Sequence, residues 1–268
     1  MTDVPDSHPR RASLLARQRL VDAAAAGMLA DSALIAHGRG EAFDYLLGEA
    51  TCAAAVAAIG ETAARLLAAE QPIISLNGNA VVLTADDMIR CAAVLQCPIE
   101  INIYYRTEAR MQALESHLRE RRTAVAGMAM PAGWPVARGE WRAAVESVAI
   151  LGQAADGHIP GLSGPRATCC ADGILVADAI LVPLEDGDRC AALVALGRDV
   201  LVIDLNPISR TARTASVSIV DEVSRAASRL LDALLAGPTE PDPAWNNDAS
   251  RHGALEVMLR SIDRDAAG

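Results

Sequence analysis

Polar residues able to do chemistry gather in five clusters along this 268-residue chain. In the first, His37-Gly38-Arg39-Gly40-Glu41-Ala42-Phe43-Asp44, two glycines flank an arginine. Placed just before a helix, such glycines let backbone amides approach an anion, and Arg39 adds a bidentate grip on phosphate oxygens. The others are Asn77-Gly78-Asn79, Asn102 with Tyr104-Tyr105-Arg106-Thr107, Glu185-Asp186-Gly187-Asp188-Arg189, and Asp204-Leu205-Asn206-Pro207-Ile208-Ser209-Arg210. Each has an ordinary structural reading as well: Asn-Gly-Asn as a turn, Asp186 or Asp188 as a helix cap, Asp-Leu-Asn-Pro as a turn initiator. What sets the last four apart is place, because each ends or directly follows an apolar run that reads as a strand.

Those runs alternate with helical patterns. Arg10 to Gly27 reads as an opening helix, Glu41 to Leu47 as a second, and Thr51 caps a third, alanine-rich one through Ala69. Then come a strand at Pro72 to Leu76, a helix at Ala85 to Leu95, a strand at Ile99 to Ile103 and a charged helix at Thr107 to Arg122. Strand, helix, strand, helix predicts a parallel α/β sheet flanked by helices, with a helical N-terminal part over residues 1–70. Residues 123–146, with Pro131, Gly133, Pro135 and Gly139 around Trp134 and Trp141, read as an inserted loop. The alternation resumes with strands at Val148 to Leu151, Ala179 to Val182, Val200 to Leu205 and Ser216 to Val220, and helices at Asp188 to Leu196 and Asp221 to Leu235. One domain over 1–236 is expected, followed by a linker and a short tail helix, Gly253 to Ile262, within 237–268. Ligands of an open α/β sheet bind beyond the carboxyl ends of its strands, so four polar loops on that edge make a site.

Composition narrows the chemistry. All 24 basic residues are arginine, which excludes a P-loop lysine, a Schiff-base lysine and a lysine nucleophile. Any phosphate must be met by arginine, backbone N–H groups and metal. A net charge of −10 with 3% aromatic residues gives neither the field nor the stacking surface for general nucleic-acid binding. Six cysteines show no C-x-x-C pair or zinc spacing and suit buried thiols in a reducing compartment. No apolar stretch approaches the roughly 18 residues of a spanning helix. The first ten residues, with Asp3, Pro5, Asp6 and Arg10, lack the apolar core of a signal peptide, so a soluble cytoplasmic protein without membrane contact is expected.

Longer motifs then point to a family. Asp6-Ser7-His8-Pro9-Arg10, Leu34 through Leu46, Asn77-Gly78-Asn79, Glu100-Ile101-Asn102 and Tyr105-Arg106-Thr107-Glu108 closely resemble archaeal phosphopantothenate synthetase, the 4-phosphopantoate:beta-alanine ligase of coenzyme A synthesis. So do Ile159-Pro160-Gly161-Leu162, Val182 through Arg189, and Ile203 through Pro207 with Ser209-Arg210, in order from about residue 3 to about 235.

The resemblance implies a homodimer with a Rossmann-like sheet. It implies small-molecule substrates, ATP, 4-phosphopantoate and beta-alanine, converted to AMP, pyrophosphate and 4'-phosphopantothenate through an acyl-adenylate with Mg²⁺. It places Arg17, Arg39, Asp204, Leu205, Asn206, Arg210, Thr211, Glu222 and Val223 around the nucleotide. His37, Asn77, Asn79, Asn102, Arg106, Asp186 and Arg189 are left as candidates for the phosphopantoate and reaction region. Arginines and Mg²⁺ would stabilise charge on the reacting phosphate, Asp186 and Asp188 would be magnesium carboxylates, and His37 would take the amine's proton. The chain departs from the family pattern in the 123–146 insertion, in the tail after Gly237, in Gly157-His158, and in Glu222 where asparagine is expected. Two other readings stay open: a ligase for a different acid or amine in archaeal-type one-carbon cofactor synthesis, and a non-catalytic nucleotide-binding protein.

Overall fold

In the computed structural model, which describes residues 4–184 and 186–265, six parallel strands form one sheet with helices on both faces. Asp3 and Glu185 lie outside the described residues. The chain opens with helices α1 (Arg11–Ala25), α2 (Asp31–Leu47) and α3 (Ala53–Ala68), then strand β1 (Pro72–Leu76), helix α4 (Gly78–Leu95) and strand β2 (Ile99–Ile101). Helices α5 (Glu108–Ala126) and α6 (Trp141–Glu146) lead to short strands β3 (Ile150–Leu151), β4 (Gly157–His158) and β5 (Thr168–Cys169). Strand β6 (Ala179–Pro183), helix α7 (Gly187–Ala195), strand β7 (Asp199–Ile203), helix α8 (Arg210–Thr214), strand β8 (Val217–Ile219) and helices α9 (Val223–Leu235) and α10 (Asn247–Asp265) follow.

The sheet order is β3-β2-β1-β6-β7-β8, while β4 and β5 pair as a separate antiparallel hairpin. From β1 the chain winds outward through β2 to β3, then returns to lay β6 on the other side of β1 and winds outward again. This doubly wound, Rossmann-type order opens a crevice beyond the carboxyl ends of β1 and β6, where successive connections leave on opposite faces. The expected α/β parallel sheet with a helical N-terminal part is therefore what the chain forms.

Period-two alternation splits each central strand between two cores. Ile74, Leu76, Leu181, Leu201, Ile203, Val217 and Ile219 face a large core shared with α1, α3, α4, α5, α6 and α9. Ile73, Ile180, Val182, Val200 and Val202 face a smaller one with Cys190 and Leu193 of α7 and Ile159, Cys169 and Ile174 from the hairpin region. Glu100, fully buried in β2, accepts the N–H groups of Cys170 at 2.9 Å and Ile174 at 2.7 Å, tying that region to the sheet. Gly173 is needed there because any Cβ would collide with the Glu100 carboxylate. All six cysteines are free thiols, and burial pushes Cys169 up to about 12 and Cys170 up to about 11, so neither ionises near neutral pH.

Several boundaries differ from the sequence reading. Strands β2, β3, β7 and β8 are shorter or shifted, and Thr51 does not cap α3, whose N-cap is Cys52, because the Thr51 hydroxyl donates to Asp221. Helix α2 starts at Asp31, ten residues before Glu41, so Gly38 and Gly40 are helical and form no anion-cradling loop. Helix α4 starts at Gly78, which makes Asn77 its N-cap: the side-chain Oδ1 accepts the Ala80 N–H at 3.0 Å. Residues 123–146 are not a loop throughout, because α5 runs to Ala126 and α6 occupies 141–146. Trp134 and Trp141 meet edge to face at 4.9 Å and are buried in the large core. The tail helix is longer than expected, and its Ala254 and Met258 pack with Leu47, Leu205 and Val220.

Candidate active site

Two adjoining cavities occupy the crevice, one of about 1660 Å3 and one of about 440 Å3. They share a wall that includes Asn77, Tyr104, Leu184 and Asp186, so the switch point itself divides them. Asn77 builds that divide. Its Nδ2 donates to the carbonyls of Leu184 at 2.8 Å and Pro183 at 3.3 Å, bridging the ends of β1 and β6. Leu184 is held in the left-handed region at φ 60°, a conformation a leucine adopts only when its surroundings impose it. Asn77 on its carbonyl and the Ile203 carbonyl on its N–H supply that constraint.

The larger cavity runs from α1 and α2 across the loop after β7 to the start of α9. Of the nine residues expected around a nucleotide, Arg39, Asp204, Leu205, Asn206, Arg210, Thr211, Glu222 and Val223 line it. Arg17 does not: its guanidinium is paired with Glu41 at 2.8 Å and donates to the Tyr45 hydroxyl at 3.1 Å. Glu41 also receives Arg10 and the Ser13 hydroxyl. Burial would raise its carboxyl, but the hydrogen bonds from Arg17 and Ser13 hold it below its ordinary value.

The loop after β7 is closed by its own side chains. Asp204 accepts the Asn206 N–H at 2.9 Å and the Ser209 hydroxyl, Asn206 accepts the Ile208 N–H at 3.0 Å, and Ser209 caps α8 through the Ala212 N–H at 2.9 Å. Burial raises the Asp204 carboxyl above its usual range, against these bonds and the charge of Arg39. Glu222 caps α9 by accepting the N–H groups of Ser224 and Arg225 at 3.0 Å, an acidic N-cap favoured by the helix dipole. Its other oxygen, Oε1, is buried without a hydrogen-bond partner among the described residues, as are Nε2 of His37 and Oγ of Ser224. All three residues line the larger cavity. Burial lowers the His37 imidazole, outweighing the pull of Glu41 and Glu222.

The residues expected at the acid substrate and reaction region divide. Asn77 and Asp186 face both cavities, His37 and Asn79 the larger, and Asn102 and Arg189 the smaller. Asn102 is fixed by a 2.9 Å bond to the Ser75 hydroxyl, and Asn79 donates to the Ala33 carbonyl at 2.9 Å. Arg106 reaches neither cavity, because its guanidinium donates to the carbonyls of Gly152 and Gln153 after β3. Asp186 caps α7 and pairs with Arg166 at 3.1 Å, while Asp188 pairs with Arg166 at 3.0 Å and with Arg210. Both carboxylates expected to hold magnesium are thus engaged by arginine, and among the described residues no group of three His, Cys, Asp or Glu side chains is placed to hold a metal.

Arg166 is a candidate-site residue that sequence reasoning passed over. It stands on a single 3-10 turn (Gly164–Arg166), lines the smaller cavity and lies 5.3 Å over the Tyr104 ring. Nothing in its local spacing marks it, since its partners are 20 and 22 residues onward.

The chain is a doubly wound α/β protein whose switch point opens into two adjoining cavities lined by arginines and carboxylates. Comparison with known proteins identifies its family. The sequence pattern of the phosphopantothenate/pantothenate synthetase family matches residues 54–240. The 4-phosphopantoate–beta-alanine ligase of Thermococcus kodakarensis is 41% identical over 232 residues, covering 87% of this chain and 80% of that protein. The ligase of the same name from Methanospirillum hungatei is 39% identical over 227 residues, 85% of this chain and 83% of its own length. This chain belongs to the phosphopantothenate/pantothenate synthetase family.

Proposed function

We propose that the chain is an ATP-dependent ligase that joins 4-phosphopantoate to beta-alanine in coenzyme A synthesis. The observation that carries the reading is the identity of about two residues in five, over more than four-fifths of the chain, to ligases named for that reaction. ATP supplies the activation: the acid's carboxylate becomes an acyl-adenylate, pyrophosphate leaves, and amide formation releases AMP.

The larger cavity suits a nucleotide. It is roomier than the typical ~300–1,000 Å3 of a small-ligand site. It presents the exposed Arg39 guanidinium for phosphate, with Glu222 Oε1 and Ser224 Oγ as unused hydrogen-bonding groups. Asp204, Leu205, Asn206, Arg210, Thr211 and Val223 would complete it. Asn77, Asn102, Asp186 and Arg189, joined by Arg166, would orient the acid in the smaller cavity with its carboxylate at the shared wall. Asn79 shapes the larger side of that wall. Magnesium would arrive on the nucleotide's phosphates, because Asp186 and Asp188 are occupied by Arg166 and Arg210. A homodimer and a cytoplasmic location accompany the reading. No helix among the described residues is long and apolar enough to cross a membrane.

His37 is the proposed proton acceptor for the attacking amine. The residue lines the larger cavity, its Nε2 has no hydrogen-bond partner among the described residues, and burial favours the neutral ring, which can take a proton. Because neutral imidazole is the active form and its titration is lowered, the acid limb of the kcat profile should fall below 6.5, the ordinary histidine value. His37→Gln should remove that limb and lower kcat about 10²-fold. Undiminished turnover in the variant would overturn this role.

The reading is tested by following AMP release with ATP and Mg²⁺ while 4-phosphopantoate and beta-alanine are omitted in turn, with the product identified by mass. AMP and 4'-phosphopantothenate formed only with both substrates is the expected result. ATP binding without turnover would redirect the search to another acid or amine, or to a non-catalytic role.

A further inference from the structure

Helix α10 lies beyond residues 54–240, the span that matches the family pattern, yet it is built against the back of the larger cavity. One face, carrying Asn247, Arg251, Ala254 and Met258, makes the contact, at the spacing of four, three and four that aligns residues along a helix. Asn247 is a three-way clip. Its Oδ1 accepts the Ser218 N–H on edge strand β8 at 2.8 Å, and its Nδ2 donates to the carbonyls of Ala212 at 2.9 Å and Ala215 at 3.0 Å. Ala212 belongs to α8, and Ala215 closes that helix. One turn on, Arg251 is 7% exposed and donates to the Pro207 carbonyl at 2.5 Å and to Asp248 at 2.5 Å. Met258 and Ala254 then pack with Leu205.

The polar contacts of Asn247 and that of Arg251 with Pro207 land on the segment from Leu205 to Ser218, whose front presents Leu205, Asn206, Arg210 and Thr211 to the larger cavity. Ala254 and Met258 pack with Leu47 and Val220 as well as Leu205. Pro207 has no N–H to tie its own loop, so its carbonyl is the available handle. A guanidinium is costly to bury unless its donors are used, and here Nη1 donates to that carbonyl and Nη2 to the helix's own Asp248. We infer that α10 is a brace that fixes the nucleotide loop, with Arg251 as a positioning residue for ATP. The inference rests on reading the larger cavity as the ATP site.

The test is equilibrium ATP binding and steady-state kinetics of the full chain with Arg251→Gln, Arg251→Lys and Asn247→Ala. In Arg251→Gln the Kd and KM for ATP should rise about tenfold, the equivalent of one lost hydrogen bond from a charged group. The KM for 4-phosphopantoate and kcat at saturating ATP should stay within about twofold. Arg251→Lys should recover most of the loss, since an ammonium reaches the same carbonyl. Asn247→Ala keeps Arg251 and should show the same split, which carries the test if Arg251→Gln fails to fold. An unchanged ATP KM in either folded variant overturns the brace, as does a parallel rise in both KM values that lysine does not rescue. A wild-type chain without affinity for ATP would instead overturn the reading of the cavity itself.

Discussion

Arg39→Ala is expected to slow amide formation about 10³-fold while leaving thermal stability within about 0.5 kcal/mol of the parent. The two halves come from one fact: Arg39 is exposed on α2 and makes no ion pair or hydrogen bond among the described residues. Its structural role is therefore slight, and alanine is the better helix former. Its chemical role is another matter, because the chain has no lysine and a phosphate undergoing attack needs cations beside it. Of the other arginines on the larger cavity, Arg10 is held by Glu41 and Glu49, Arg11 by Asp6, Arg210 by Asp188, and Arg225 by Asp44 and Asp221. Arg19 and Arg110 donate to backbone carbonyls, and Arg229 on α9 shares with Arg39 the lack of a partner among the described residues. Arg39 can turn to a ligand without breaking a bond. Arg39→Lys should recover only part of the rate, since the charge remains but the planar fork does not. AMP release together with a thermal melt checks the pair of expectations. Equal loss of stability and rate would mean that Arg39 supports the fold instead.

The central sheet was legible because strands buried on both faces read as near-continuous apolar runs, as in Pro72 to Leu76, broken only by Ser75, and Ala179 to Val182. The start of α2 was not. Two glycines in three residues argue against a helix on intrinsic preference, and tertiary contacts override it: Glu41 binds Arg10 and Arg17 of the α1 region, and Asp44 binds Arg225 of α9. Helix α6 was hidden by real turn residues on its approach, Gly133 and Gly139, both at positive φ, although the two tryptophans between and beyond them mark a core contact. The hairpin of β4 and β5 has two residues per strand, too few to show alternation.

At the candidate site, residues that immediately follow strands were legible because topology alone sends them to the crevice. Asn77, Asn102, Asp186 and the Asp204 loop all reach a cavity wall. Long side chains were not, since where a guanidinium goes depends on partners far away in sequence. Arg17 and Arg106 are claimed by Glu41 and by the Gly152 carbonyl, whereas Arg166 is drawn in by Asp186 and Asp188. Glu222, which the sequence reading flagged for its type, serves as the N-cap of α9.

Arg225→Met is expected to destabilise the fold by about 3–5 kcal/mol, because it strands two buried carboxylates. Asp44 is 4% exposed and Asp221 is 1% exposed. The guanidinium meets Asp44 at 2.5 and 3.0 Å and Asp221 at 2.7 and 3.1 Å. Burial alone would loosen the guanidinium's hold on its proton, but the two carboxylates push it above its ordinary value. Asp221 has secondary support from the Thr51 hydroxyl at 2.6 Å and the Glu222 N–H at 2.8 Å, so Asp44 should be the more exposed to the loss. Asp44→Asn in the Arg225→Met background should therefore recover part of the stability, with a coupling of about 0.5–3 kcal/mol between the sites. Denaturant melts of the two single variants and the double variant measure it. A loss under about 1 kcal/mol in Arg225→Met would mean that the remaining donors already satisfy both acids. The network joins α2, which carries His37 and Arg39, to the junction that carries Glu222. The fraction of Arg225→Met that stays folded should therefore turn over more slowly, since the two walls of the larger cavity lose the tie that sets their distance.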